Sequence, residues 1–154
     1  MAHILIADDD ELIADLATQA LLDAGHACGW VTSADAALQL LERKRPDLML
    51  LDHDMPGMSG VTLLRKLRVS ERFYDLPVIM FTAMRGADDE AQAIYAGAND
   101  FIRKPLNPKT LVKRVSGVLS LLENKPRHTD LKTYLARNSG MSNEPAAPRR
   151  HRFI

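Results

Sequence analysis

The chain has 154 residues, of which 46% are hydrophobic and 26% are charged, and its net charge is zero. This composition is typical of one globular domain, and with Cys28 as its single cysteine the chain excludes a disulfide-stabilised fold. No apolar run approaches the roughly 20 residues that span a bilayer, and the first residues lack the pattern of an export signal, so we expect a cytoplasmic protein.

Short aliphatic runs alternate five times with longer helical patterns, which predicts βαβ units and a parallel sheet. The first predicted helix ends at Gly25, a residue well suited to stop it. The second begins after Ser33 and ends at about Arg45, because Pro46 cannot continue a helix. The predicted strands are residues 4–7, 27–31, 48–51, 78–81 and 100–102.

The remaining helices have clear start or stop signals. Apolar residues at helical spacing over 61–67 predict a third helix that ends before Pro77. A fourth begins near Asp88 and ends at Gly97, and Asn107 caps a last helix that runs to about residue 123. The simplest assembly of these ten elements is a doubly wound, five-stranded α/β sheet.

The composition changes after residue 124. Residues 125–154 carry seven basic and two acidic residues, net +5, which leaves residues 1–124 with a net charge of −5. Scattered proline, glycine, serine and asparagine predict a basic, largely flexible tail, with the pattern of one short helix near 130–137. The expected organisation is therefore a domain over 1–124 followed by this tail.

Carboxylates follow two of the predicted strands. Asp52 ends the buried run 48–51, and Asp8 and Asp9 end the first strand, whereas Asp10 is interpreted as a helix cap. Because the carboxyl ends of parallel strands share one edge of a sheet, these carboxylates should meet there and repel each other. Carboxylate oxygens without a cluster of cysteine or histidine favour Mg²⁺ over a softer metal.

Two further groups reach the same edge. The fourth strand ends in Thr82 and the fifth in Lys104, which supply a hydroxyl and an ammonium group. Together with Mg²⁺, these groups could each neutralise or hydrogen-bond one oxygen of a phosphoryl group carried by Asp52. The set therefore predicts phosphoryl transfer to this carboxylate.

The chain resembles the receiver domains of two-component response regulators, including the chemotaxis response regulator, over residues 3 to about 123. The resemblance is carried by the Asp-x-x-Met-Pro-Gly-x-x-Gly stretch that begins at Asp52, with an acidic pair ending 43 residues upstream. It implies a flavodoxin-like fold with five helices and strand order 2-1-3-4-5. It also implies that residues 1–124 are a receiver domain.

The resemblance also assigns roles. Asp52 would be the phosphoacceptor, and Mg²⁺ would be held by Asp8, Asp9, Asp52 and the backbone carbonyl of Asp54. Thr82 would supply the family's phosphate-sensing hydroxyl and Lys104 its lysine. Phe101 matches the position of the family's aromatic switch residue. The Lys104-Pro105 peptide bond would be cis.

Three nearby residues are less determined. His53 is interpreted as a variable loop residue rather than a phosphohistidine or metal ligand. For the side chain of Asp54, tuning of dephosphorylation and simple solvation both stay open. Phe101 lacks the hydroxyl of the more frequent tyrosine. Apart from these three residues, Trp30 is interpreted as having only a structural role.

The implied function is phosphorelay signalling. A sensor histidine kinase or a histidine phosphotransfer protein would donate the phosphoryl group, and the chain would catalyse only its own phosphorylation and dephosphorylation. We expect a stand-alone receiver, monomeric or dimerising on phosphorylation, that acts on an unknown downstream protein. DNA binding is not expected, because the 30 residues after the domain are too few for an effector domain.

Two alternative functions fit parts of the sequence. The basic tail could bind nucleic acid or an acidic partner through its arginines. The Asp52-x-Asp54 pattern also opens the signature of haloacid dehalogenase-like phosphatases, in which the second aspartate acts as acid and base. Against the phosphatase, the acidic cluster precedes Asp52 in this chain instead of following it.

Overall fold

A computed structural model describes residues 1–83 and 87–123, without the side chains of 87–89. The predicted basic tail and its short helix near 130–137 lie outside the described residues. Met1–Ser120 forms one compact unit, and of a second, Leu121–Ile154, only the helical turn Leu121–Glu123 is described. None of the helices in the described part of the chain has the length and hydropathy needed to cross a bilayer.

Five strands alternate with five helices, as predicted. The strands are β1 (His3–Ala7), β2 (Ala27–Val31), β3 (Leu48–Leu51), β4 (Val78–Thr82) and β5 (Asp100–Arg103). The helices are α1 (Glu11–Asp23), α2 (Ala34–Arg43), α3 (Gly60–Arg68), α4 (Ala87–Tyr95) and α5 (Pro108–Glu123). All strand pairs are parallel and their order is β2-β1-β3-β4-β5, which confirms the predicted α/β fold and its strand order.

The core packs against the central strands, β3 and β4, whose residues are all buried. One cluster joins alternate residues of β3, such as Met49 and Leu51, to Leu63, Leu64 and Leu67 of α3. Burial on both sides explains why these strands read as continuous apolar runs rather than alternating ones. The core therefore fixes the strand ends from which the polar side chains emerge.

Helix starts follow the predicted caps. Asp10 Oδ1 accepts hydrogen bonds from the backbone N–H groups of Leu12 (3.1 Å) and Ile13 (3.3 Å), so its role as a cap is confirmed. Asn107 Oδ1 accepts one from the Thr110 N–H at 3.2 Å. These side chains satisfy N–H groups that have no partner within the helix.

The second helix ends earlier than predicted, at Arg43 instead of about Arg45. Lys44 is already extended, with φ −152° and ψ 126°, and the residue before Pro46 is sterically biased away from helical geometry. The Arg45 guanidinium instead donates to the carbonyl of Arg72 and pairs with Asp75 at 3.0 Å. The helix therefore ends two residues before the one that the proline restricts directly.

Candidate functional site

The carboxylates of Asp8, Asp9 and Asp52 meet at the carboxyl edge of the sheet. β1 and β3 are neighbours with Ala7 opposite Leu51, so the residues that follow them emerge side by side. One carboxylate oxygen from each residue lies within 4.8 Å of the others. Asp8 and Asp52 are buried, whereas Asp9 is exposed. The predicted acidic cluster therefore forms, with one side open to solvent.

Lys104 enters this cluster from the end of β5. Its Nζ lies 2.9 Å from Asp8 Oδ2 and 3.4 Å from Asp52 Oδ1. The Lys104-Pro105 peptide bond that follows is cis. The lysine thus bridges the two buried carboxylates across the three strands β1, β3 and β5.

The surroundings raise the pKa of the Asp52 carboxyl from 3.8 to about 7. Burial is the largest cause, because it disfavours the charged form, and repulsion from Asp8 adds to it. Lys104 lowers the pKa in part, and Asp9 raises it slightly. The surroundings therefore supply too little positive charge for this carboxyl to ionise fully at neutral pH.

The Lys104 ammonium responds in the opposite sense. Burial alone would lower its pKa, but contact with Asp8 and attraction to Asp52 and Asp8 outweigh burial, so the pKa is raised. Lys104 is therefore a permanent cation at neutral pH. One cation facing three carboxylates leaves the cluster negative.

This imbalance predicts a pH-dependent effect of Asp52→Asn on stability in EDTA. Asp52 binds its proton more tightly when folded than unfolded, so its contribution to the free energy of unfolding falls as pH rises from about 4 to about 7. Asparagine does not titrate, so the variant has no such pH-dependent loss. Its free energy of unfolding should exceed that of the wild type by on the order of 2 kcal/mol at pH 8 and by much less at pH 5.

Urea denaturation at pH 5 and pH 8 measures both free energies of unfolding. Asp35→Asn, at an exposed position in the first turn of α2, serves as a control for loss of one negative charge elsewhere. An equal difference between Asp52→Asn and wild type at the two pH values would contradict the prediction.

The donor set fits a hard divalent cation. It consists of three carboxylates that repel each other, one of them exposed, with no thiolate or imidazole among the clustered ligand atoms of the described residues. Mg²⁺ prefers such oxygen ligands and retains several waters, for which the open side near Asp9 leaves access. Asp54 is exposed, and the predicted role of its backbone carbonyl stays a prediction.

Thr82 and Phe101 lie together beside this cluster. Thr82 is buried at the end of β4, and Phe101 in β5 is 5% exposed. Both line a small pocket with His53, Met80 and Gln92, and the space in it, about 10 Å³, suits one water molecule. The hydroxyl and the aromatic residue are thus neighbours.

Sequence reasoning missed the orientation of His53. The sequence predicts a variable loop residue here, and in the structure His53 is among the residues that line the pocket beside Thr82. Its Nδ1 is buried, and within residues 1–83 and 87–123 it has no hydrogen-bond partner. Nothing in the local sequence signals this, because the direction of a loop side chain depends on the packing of α4 and β5.

Gly60 lets α3 approach the phosphoacceptor loop. Its N–H donates to the carbonyl of His53 at 2.8 Å. A Cβ at this position would lie 2.9 Å from the carbonyl carbon of Asp52 and closer still to its oxygen. In the sequence, the second glycine of the Met-Pro-Gly-x-x-Gly stretch indicates this close contact, because glycine permits close backbone approach.

Comparison with known proteins shows the family of the chain. The profile of the response regulator receiver domain family matches residues 4–116. The chain belongs to this family. Receiver domains are signalling domains, and membership does not support the phosphatase alternative.

Curated relatives of this receiver domain are longer proteins. The phosphate regulon transcriptional regulatory protein PhoB of Pseudomonas aeruginosa is 40% identical over 116 residues, which are 75% of this chain and 51% of that protein. The DNA-binding response regulator MtrA of Mycolicibacterium smegmatis is 36% identical over 124 residues, 80% of this chain and 53% of that protein. The chain spans about half the length of these relatives. The expectation that DNA binding is absent is therefore not confirmed.

Solved receiver structures share the fold. A putative response regulator from Chloroflexus aurantiacus has a TM-score of 0.74 and 34% identity, with coverage of 77% of this chain and 98% of that one. The Vibrio cholerae chemotaxis protein CheY4 has a TM-score of 0.72 and 28% identity, with the same coverage. The predicted similarity to chemotaxis response regulators is confirmed.

Proposed function

We propose that this receiver domain accepts a phosphoryl group on Asp52 from a histidine kinase or a histidine phosphotransfer protein. The observation that carries the proposal is the cluster in which Lys104 Nζ bridges Asp8 and Asp52 at 2.9 and 3.4 Å. A buried carboxylate flanked by a permanent cation and two further acids suits acceptance of a phosphoryl group when a divalent cation is present.

In the proposed step, a carboxylate oxygen of Asp52 forms a bond to phosphorus as the phosphorus–nitrogen bond of the donor phosphohistidine breaks. The electron pair of that bond stays on the donor imidazole. Asp8, Asp9, Asp52 and the carbonyl of Asp54 would hold Mg²⁺. Bound Mg²⁺ would neutralise negative charge on the transferred group and keep Asp52 ionised.

The remaining groups of the site bind the transferred phosphoryl oxygens. Lys104 supplies an ammonium that can leave Asp52 Oδ1 for a phosphoryl oxygen, and the Thr82 hydroxyl can hydrogen-bond another. Because Thr82 and Phe101 line one pocket, movement of the hydroxyl toward Asp52 changes the space beside the ring. Phe101 would thereby switch the surface around it.

The output is a population shift between two surface arrangements. To move the active arrangement from 1:99 to 99:1, the new contacts must favour it by about 5.5 kcal/mol. A doubly charged group with three acceptor oxygens can supply this through Lys104, Thr82 and the cation. In this proposal the protein catalyses only its own phosphorylation and dephosphorylation. Its partners are the phosphodonor and an unidentified downstream protein.

The test uses the full chain with acetyl phosphate as donor. We expect intact mass to increase by one phosphoryl group in Mg²⁺ and to stay unchanged in EDTA. Borohydride reduction of the acyl phosphate followed by peptide mapping should mark Asp52. Modification of His53 or Asp54 instead, or equal incorporation in EDTA, would contradict the proposal.

A further inference from the structure

Trp30 is the single tryptophan of the chain and lies in β2, the strand at one edge of the sheet. Its indole Nε1 donates a hydrogen bond of 3.1 Å to the backbone carbonyl of Asp8, at the end of the neighbouring strand. The side chain is also 38% exposed, which is a large apolar surface to leave in water. The indole thus combines a specific polar contact with a position at the rim of the acidic cluster.

With this contact, every polar group of Asp8 is engaged. Oδ1 accepts from the Asp10 N–H at 2.9 Å, and Oδ2 lies 2.9 Å from Lys104 Nζ. The backbone N–H of Asp8 donates to the carbonyl of Val31 at 3.1 Å. The remaining polar group is the backbone carbonyl, which accepts the hydrogen bond from the indole of Trp30. Asp8 is therefore fully oriented before any cation binds.

The same carbonyl belongs to the peptide bond between Asp8 and Asp9. Across residues 1–83 and 87–123, the Asp9 side chain makes no hydrogen bond and no ion pair. The position of the exposed Asp9 carboxylate therefore depends on its backbone. Because the indole fixes the plane of the preceding peptide bond, it restricts where this carboxylate can lie.

We propose that Trp30 is a positioning residue for a divalent cation bound by Asp8, Asp9 and Asp52. This inference rests on the metal site of the proposed function. Groups that hydrogen-bond to metal ligands orient them, and their loss commonly weakens metal binding by tenfold or more. Here the contact is to the backbone rather than to a ligand atom, so we expect a loss of about 3- to 10-fold in affinity.

The competing explanation is that Trp30 only covers the end of the sheet. Trp30→Phe separates the two roles, because it retains an aromatic ring and removes the N–H donor. A covering role predicts a lower melting temperature in EDTA with an unchanged Mg²⁺ affinity. A positioning role predicts weaker Mg²⁺ binding beyond any effect on the folded fraction.

Isothermal titration of the full chain with MgCl₂ alone measures the Kd, and thermal unfolding in EDTA measures stability. We expect Trp30→Phe to raise the Kd about 3- to 10-fold. Tyr74→Phe is the matched control, since it removes one polar atom from an exposed aromatic residue in the turn before β4, at the amino end of the strands and not at their carboxyl ends. Its Kd should equal that of the wild type.

Wild-type fluorescence gives a second measurement that does not need a folded variant at position 30. Indole emission should change on titration with Mg²⁺, and this change should be absent in Asp9→Asn. An unchanged Kd in Trp30→Phe would overturn the inference while leaving the metal site intact, as would indole emission insensitive to saturating Mg²⁺. Failure of the wild type to bind Mg²⁺ would overturn the metal site and the inference together.

Discussion

Asp52→Asn is expected to abolish incorporation of a phosphoryl group from acetyl phosphate in Mg²⁺, with a rate at least about 100-fold below that of the wild type. A carboxamide has no anionic oxygen to attack phosphorus, and it also removes one charge from the ligands of the cation. The folded structure should persist, because Asp52 is the buried acid whose pKa is raised to about 7, and removing its charge relieves repulsion. Intact mass as a function of time measures the rate.

Asp54→Asn is the matched control for this change. It makes the same carboxylate-to-amide replacement two residues away, at an exposed side chain. We expect it to accept the phosphoryl group and to change, at most, the lifetime of the product. It also tests the phosphatase alternative, which would require Asp54 for sustained hydrolysis of a phosphomonoester. Retained incorporation in Asp52→Asn would refute the phosphoacceptor assignment.

Gly60→Ala should have the largest effect on stability. The new methyl group would be forced against the backbone of Asp52, only 2.9 Å from its carbonyl carbon and from the Cα of His53. Backbone atoms cannot rotate aside as a side chain can, so the loop and α3 must separate. We expect a loss of about 3 kcal/mol or more in the free energy of unfolding.

Gly117→Ala provides the opposite sign in the same assay. Gly117 lies within α5, and apart from the helix's own backbone a Cβ there would meet no atom of residues 1–83 or 87–123 within 4 Å. Alanine should therefore stabilise the helix by about 0.5–1 kcal/mol. Urea denaturation of both variants measures the difference. Similar free energies of unfolding for the two variants would show that the close approach at Gly60 does not make alanine unfavourable there.

Much of the site could be predicted because it depends on topology rather than on side-chain detail. In a parallel sheet, residues that follow β1, β3 and β5 must emerge at one edge, so the topology alone places Asp8, Asp52 and Lys104 there. The apolar runs of β3 and β4 identified these edges from composition alone. Turn and cap residues then placed the helices between the strands.

The remaining features depend on contacts between residues far apart in the chain. Trp30 reaches 22 positions back to the carbonyl of Asp8, and His53 turns toward a pocket built by α4 and β5. Arg68 likewise donates to the carbonyl of Gly97 at 2.9 Å, 29 residues away. Such contacts depend on rotamers and on the distance between elements, and neither leaves a periodic trace in the sequence.

The bridge formed by Lys104 also sets a charge balance. When Asp52 is ionised, the three clustered carboxylates and the single ammonium sum to two negative charges, carried by two buried acids and one exposed acid. One divalent cation brings that total to zero, whereas a monovalent ion leaves it negative and a trivalent ion makes it positive. The lysine therefore gives the cluster a preference for valence, separate from any preference for ionic radius, because uncompensated charge is costly on the two buried carboxylates.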